Sequence, residues 1–204
     1  MFQIEGRNPR MKFQLKGRIV FFVTNNFNKF DEARRVLGQH GIAVGMLRVK
    51  TAEIQSDRLE EIAQASVIEA FRNCNLPVIV EDAGLFIEAL RGFPGPYAAY
   101  VYKTIGNAGL VKLMENVENR NAKFQSAIAY CDGHSAPVCF EGEAAGRIAS
   151  DEIWGKLKTG FGFDPIFQPE GSKKTFAEMT IEEKNGFSHR AKAICKFAEW
   201  YTTT

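Results

Sequence analysis

Glu81 and Asp82 close an apolar run, PVIVED, with two adjacent carboxylates. A strand points neighbouring side chains to opposite sides, so at most one of the two is expected to be buried. Acids at the C-terminal end of a buried strand sit where ligand clefts open in α/β sheets. One or two carboxylates together with substrate phosphates are what Mg²⁺ takes. Glu53, in a polar loop after an earlier strand, is a further acid; alone it reads as a solvated residue. Lys29 falls at the other kind of position, at the end of Thr24–Asn25–Asn26–Phe27–Asn28–Lys29, where a strand turns into a helix. A helix start offers unpaired N–H groups and a partial positive charge to an anion, and a lysine in its first turn reaches the same place. In isolation the segment reads first as a well-capped helix with a surface lysine, since polar caps are common. It is not a P-loop, because GxxxxGK[ST] is absent.

Two later stretches complete the set. In GFGFDP, Gly160 to Pro165, the glycines (Gly162 among them) let the backbone approach a ligand closely. Phe161 and Phe163 offer flat apolar faces, and Asp164 offers an acceptor for base N–H groups. The plainer reading is an aromatic turn plugging the core, and Phe163 fits that role. Near the C-terminus, Glu182-Glu183-Lys184-Asn185 precedes Ser188-His189-Arg190. Cations and a capping serine at a helix start favour an anion or a carbonyl oxygen; a Ser–His–acid hydrolase is disfavoured by the lack of a GxSxG elbow. The candidates therefore sort into cations (Lys29, Lys184, Arg190), metal-type acids (Glu53, Asp82) and an aromatic with an acceptor (Phe161, Asp164), the three classes that a magnesium nucleoside triphosphate needs.

The elements that must position these groups alternate early. Arg18–Thr24 is a short β-branched and aromatic run, hence a buried strand. A helix follows through Phe30, Ala33, Val36 and Leu37 and stops at Gly38. Val44–Lys50 reads as a strand, Leu59–Cys74 as a helix, and residues 77–82 as a strand ending in the acids. Residues 86–90 read as a short strand, GFPG (92–95) as a turn, and 97–118 as helix broken near Gly106. Lys123–Cys131 and Ala136–Ile148 flank an Asp132-Gly133 turn as a hairpin. Asp164–Phe167 reads as a short strand, and His189–Tyr201 as the last helix. Strand–helix alternation followed by a long antiparallel hairpin predicts an α/β protein with a mixed sheet.

The chain has 204 residues, 45% hydrophobic and 25% charged, the balance of a folded domain. Residues 1–17 read as a polar, irregular extension and 18–204 as a single domain. A net charge of +2 gives no field for a nucleic acid, so none is expected as partner. No apolar run of membrane-spanning length occurs, and no membrane association is expected. Cys74, Cys131, Cys139 and Cys195 show no CxxC spacing, so reduced thiols in a cytoplasmic protein are expected.

Five segments, FVTNNFNKFDE, AEIQS, VEDAGLFIEALRGFPGPY, GFGFDPIF and FAEMTIEEKNGFSHRAKA, occur in the order found in the inosine triphosphate pyrophosphatase family, also called non-standard purine NTP pyrophosphatases. The chain strongly resembles that family from about residue 18 onward. The resemblance implies an elongated mixed β-sheet flanked by helices, two lobes with a central cleft, a homodimer, and Mg²⁺-dependent hydrolysis of ITP, dITP and XTP to monophosphate and pyrophosphate. It makes the turn from Thr24 through Asn25, Asn26, Phe27 and Asn28 to Lys29 the phosphate-contacting segment, and Glu53 and Asp82 the metal carboxylates. Asp82 is also implied as general base, with Glu81 beside it. Phe161 stacks on the base with Gly162 and Phe163 around it, and Asp164 hydrogen-bonds the base. Lys184, His189 and Arg190 form a closing set at phosphate and purine 6-position.

Asn25 stands where many relatives have Gly, and Ala83 where many have Ser or Thr, so a contact at Ala83 is through backbone. Ala65-Ser66 stand where some relatives carry a lysine. Two rival functions stand beside this one: a house-cleaning enzyme for modified pyrimidine triphosphates, and a nucleotide sensor without turnover.

Overall fold

The computed structural model describes residues 3–5, 12–14, 18–51, 54–156 and 160–204, so Glu53 lies outside the described residues. Strands β1 (Gln3–Glu5) and β2 (Lys12–Gln14) pair antiparallel as a small separate sheet. The N-terminal stretch expected to be irregular thus contains a short ribbon.

The main sheet is built from β3 (Ile19–Val23), β4 (Ala43–Leu47), β5 (Val78–Ile87), β6 (Pro94–Gly95), β7 (Asn121–Cys131), β8 (Val138–Ile148) and β9 (Phe167–Pro169). Its order is β4-β3-β5-β7-β8-β9, with β6 beside β5. The β3 pairings to β4 and β5 are parallel; β5, β7, β8 and β9 are antiparallel neighbours. The sheet is mixed, as the alternation followed by a hairpin predicts.

Among the described residues six helices flank it: α1 (Phe27–Gln39), α2 (Leu59–Cys74), α3 (Ala98–Thr104), α4 (Gly106–Leu113), α5 (Ile181–Asn185) and α6 (His189–Thr203). Helices α1 and α6 bury Ala33, Val36, Leu37, Ile194 and Phe197 on the face of Ile79, Ile128 and Tyr130. Helix α2 covers the opposite face, over Val78, Val80, Ala127 and Ala129. Beyond them a second lobe packs α4, Phe163, Phe167 and Phe176 on the far halves of β5 and β7.

Three departures from the expected elements matter for the site. Residues 77–82 do not end a strand at the acids: β5 runs on to Ile87, because β7 pairs with every residue from Val78 to Ile87. What ends there is the parallel neighbour, since β3 pairs with β5 only at Val78 and Ile79. Residues 164–166 form a 3₁₀ turn rather than a strand, with β9 starting at Phe167; Pro165 lacks the N–H that a strand ladder needs. Helix α5, which hydrophobic periodicity does not signal, is started by a capping box between Thr180 and Glu183.

Candidate active site

From β3 the chain crosses over α1 to β4 on one side, then returns over α2, on the other sheet face, to β5 on the other side. The crevice at the C-terminal ends of two parallel strands diverging in this way is where α/β sheets bind ligands. Here it is bordered by Thr24–Lys29 after β3 and by Glu81-Asp82 in mid-β5.

The turn after β3 is organised by its own side chains. Asn26 N donates to Thr24 Oγ1 at 3.1 Å. Asn26 Oδ1 accepts from Asn28 N at 2.9 Å and from Lys29 N at 3.2 Å, capping α1. Two first-turn amides are therefore already occupied. Phe27 is 65% exposed.

Alternation sends Glu81 and Asp82 to opposite faces. Glu81 is buried on the α1/α6 face, and half-buried Asp82 lies on the α2 face with Val78 and Val80. Glu81 is the second link of a buried ionic chain. Lys29 Nζ lies 2.9 Å from Glu81 Oε2. Arg190 Nε donates to Glu81 Oε1 at 2.9 Å, and Ser126 Oγ donates to the same oxygen at 2.8 Å. Arg190 also pairs through its Nη1 with Glu32 Oε2. Glu32 Oε1 accepts from Lys184 Nζ at 2.7 Å, and Lys184 Nζ reaches Asp164 Oδ2 at 2.6 Å. Asp164 Oδ2 finally accepts from Phe161 N at 2.9 Å. Cations and acids alternate, Lys29–Glu81–Arg190–Glu32–Lys184–Asp164, so the chain is neutral. Any one member removed would strand a charge out of water.

The same chain flanks the aromatic turn. Lys184 Nζ lies 4.5 Å from the centroid of the Phe161 ring, and the Arg190 guanidinium carbon 5.5 Å from it. Phe161 is half-buried, whereas Phe163 is buried and meets Tyr102 edge-on at 5.5 Å. Phe163 thus packs in the core, and only its backbone is left for a ligand. Gly162 takes φ +58, a conformation that favours glycine, and its carbonyl accepts from Asn107 Nδ2 at 3.2 Å. Ala83, half-buried in β5, has only backbone polar groups to offer.

Ser188 caps α6 through a 3.4 Å bond from Ala191 N. His189 stacks on Phe124 at 4.7 Å with an interplanar angle of 10°. Burial, then the neighbouring Arg190 charge, hold the His189 pKa well below its ordinary value, so the ring is neutral. Burial opposes the ionised form of Glu81, yet Arg190 and Lys29 outweigh it and hold the carboxyl far below the usual range. Glu32 is likewise depressed: burial acts against it, and Lys184 and Arg190 prevail. Asp164 moves upward, because burial and the Glu32 charge outweigh its share of the Lys184 ammonium.

The structure thus joins Lys29, Phe161, Asp164, Lys184 and Arg190 in one connected network, with His189 next to Arg190 in the chain. It puts Asp82 on the other face of the same strand. A cleft of about 320 Å³ is lined by Asp57, Arg58 and Leu59 at the start of α2 together with Phe86, Gln125 and Ser126, and Asp82 is not among its lining residues. Among the described residues no group of three Asp, Glu, His or Cys is clustered to hold a metal. Mg²⁺ does not require one, given one or two carboxylates and substrate phosphates. Both Glu81 oxygens lie against cations or a hydroxyl. A groove of about 900 Å³ opens elsewhere, between Phe86, Lys123, Glu143, Arg147 and Gln168. It touches none of the candidate residues.

Two residues of the network, Glu32 and Ser126, were not among the sequence candidates. Glu32 falls in phase with the apolar stripe Ala33–Val36–Leu37 of α1, and Ser126 with the buried alternation Phe124–Ile128–Tyr130 of β7. A polar residue at an apolar position of a clean period is the signal for both.

The comparisons with known proteins agree with this architecture. A dITP/XTP pyrophosphatase of Methanopyrus kandleri is 52% identical over 182 residues, 89% of this chain and 95% of that one. One of Thermococcus kodakarensis is 49% identical over 179 residues, 88% and 95%. The solved structure of a HAM1 protein from Coxiella burnetii superposes with a TM-score of 0.78 at 27% identity, covering 92% of this chain and 100% of that one. That of a nucleoside-triphosphatase / dITP/XTP pyrophosphatase from Mycobacterium abscessus gives a TM-score of 0.67 at 29% identity, covering 88% and 97%. With the family model matching residues 20–200 as well, the chain belongs to the Ham1 family.

Proposed function

We propose that this protein is a Mg²⁺-dependent nucleoside-triphosphate pyrophosphatase that hydrolyses deaminated purine nucleotides, ITP, dITP and XTP, to the monophosphate and pyrophosphate. The observation that carries the reading is the ionic chain: it starts at a lysine beside a helix N-terminus and ends under a half-buried phenylalanine flanked by Lys184 and Arg190. A ligand with anionic groups at one end and a flat ring at the other matches both ends at once. The relatives' names supply the ring's identity, a purine bearing a 6-oxo group.

Lys29, supported by Thr24 and Asn26, draws the phosphates to the crevice. Asp82 and Glu53 would hold the metal; bound there, Mg²⁺ neutralises charge on the phosphate oxygens as it builds. Asp82 orients a water and accepts its proton as the water oxygen bonds to the α-phosphorus. The bond from that phosphorus to the bridging oxygen breaks, and pyrophosphate leaves with the electron pair. Phe161 stacks on the base. Arg190 and Lys184 can only donate, so they suit the 6-oxo acceptor of inosine and xanthosine. Adenine would set its amino donor against them, at a cost on the order of several kcal/mol when buried.

The protein acts as a homodimer in the cytoplasm on this reading. Phe93, Tyr97 and Tyr100, exposed around the start of α3, provide apolar surface that a second copy would cover. Among the described residues no helix is long and apolar enough to cross a membrane. The deciding experiment is pyrophosphate release from ITP, XTP, GTP and ATP, with and without Mg²⁺. Release from ITP and XTP that ceases on chelation is expected; equal rates on ITP and ATP would refute the pocket.

A further inference from the structure

Glu81 touches three elements at once, and the resemblance assigns it no definite role. Its Oε2 faces Lys29 Nζ from α1 at 2.9 Å. Its Oε1 accepts from Arg190 Nε of α6 at 2.9 Å and from Ser126 Oγ of β7 at 2.8 Å. The Glu81 side chain is fully buried, whereas that of Lys29 is 23% exposed. Of the network's three cations, Lys29 is therefore the most exposed; Arg190 and Lys184 lie at the inner end, against the Phe161 ring.

We propose that Glu81 is a positioning residue that couples the two ends of nucleotide recognition, setting the Lys29 ammonium for the phosphates and the Arg190 guanidinium for the base. The proposal rests on the substrate reading above. A carboxylate has a few fixed lone-pair directions. Ser126 and Arg190 both hydrogen-bond Oε1 and so limit the rotation of the group, which keeps Oε2 within ion-pair distance of Lys29. Without the charge, Lys29 would be drawn to solvent, and Arg190, held by Glu32 alone, would be free to pivot. An acid that merely balances charge in the core would affect folding and leave discrimination between nucleotides as it was.

The test is steady-state pyrophosphate release with ITP and with ATP by the wild type, Lys29→Met, Glu81→Gln and Ser126→Ala. Lys29→Met should raise KM for both nucleotides alike and keep the ITP-to-ATP ratio of kcat/KM. Glu81→Gln should raise KM for both and also collapse that ratio, each by about tenfold or more, the size of a lost hydrogen bond between charged partners. Ser126→Ala, which leaves every charge in place, should move the same two quantities in the same direction by less. It decides the matter where circular dichroism shows Glu81→Gln unfolded. A folded Glu81 variant, or failing that the Ser126 variant, that changes only one of the two quantities, or neither, overturns the coupling while the activity reading stands. A wild type that releases no pyrophosphate from ITP overturns both.

Discussion

Gly142 should be the most sensitive position outside the ionic chain itself. It pairs with Ser126 across β7 and β8, directly beneath the start of α6. A Cβ built there would lie 2.1 Å from His189 O and 2.6 Å from Ala193 N, both backbone atoms of α6 that cannot rotate away. Ordinary contact begins at 3.4 Å, so Gly142→Ala must push the start of α6 outward by about 1.3 Å, interiors being packed without slack. The Arg190 Nε to Glu81 Oε1 distance, now 2.9 Å, would open to about 4 Å, beyond hydrogen-bond reach. Overpacking of this kind costs about 1–3 kcal/mol, or roughly 2–12 °C in Tm for a domain of this size. A displacement of this size at a binding group costs on the order of 100-fold in rate. Kinetics of pyrophosphate release from ITP and a thermal melt measure both. Gly38→Ala is the matched control: nothing lies within 4 Å of its Cβ, and in the last turn of α1 alanine should stabilise by about 0.5–1 kcal/mol without touching activity. A Gly142→Ala protein with wild-type kcat/KM would refute the argument that α6 is seated by this contact.

Glu32→Gln should lower stability by about 3–5 kcal/mol, since it leaves Lys184 and Arg190 without their shared buried counter-charge; an unchanged urea midpoint would count against the network. Glu32 and Glu81 both ionise below their unfolded value of 4.5. Their stabilisation is therefore complete above about pH 4.5 and is lost as pH falls through the lower folded values. Asp164, shifted upward, runs the other way: its cost is present at high pH and relieved as pH falls through its raised value. Thermal melts between pH 2 and 7 should show the net acid loss in the wild type and a shallower one in Glu32→Gln. Asp82→Asn should keep the fold and lose turnover by about 10²-fold or more with saturating Mg²⁺; full turnover would remove Asp82 from both its roles. Phe161→Ala should weaken ITP binding by about 1–3 kcal/mol with kcat less affected, which inhibition by the product monophosphate would report.

What the sequence disclosed depended on whether a residue's neighbours were local. Helix α2 was legible to the residue because its apolar period is regular over Leu59–Cys74. The β7–β8 hairpin was legible because Asp132-Gly133 marks its turn. The end of β5 was not: Glu81-Asp82 breaks the apolar run as a strand end would, and only the pairing with β7 explains why the strand continues. That error moved the acids from a terminus to mid-strand, yet left them in the crevice, because the terminus that matters belongs to β3. The family resemblance named Lys29, Asp164, Lys184 and Arg190 one at a time. Nothing local could show that they belong to one chain, joined through Glu81 and Glu32, since the contacts span 20 to 158 residues of sequence.

The alternation of sign along those links gives the arrangement its physical sense. Six ionisable groups in one core would be ruinous if like charges met, and unstable if one sign were in excess. Threaded alternately, each buried cation lies between two acids, and each of Glu81 and Glu32 lies between two cations. Only the outer lysine is partly open to water, and only the inner aspartate ends on a backbone amide. On the proposed reading, a triphosphate arriving at the lysine would meet a charge whose partner already holds the arginine at the base end. On this account, specificity for the ring and affinity for the phosphates should be hard to alter separately by any substitution within the chain, and easy to alter separately by substitutions at its two ends.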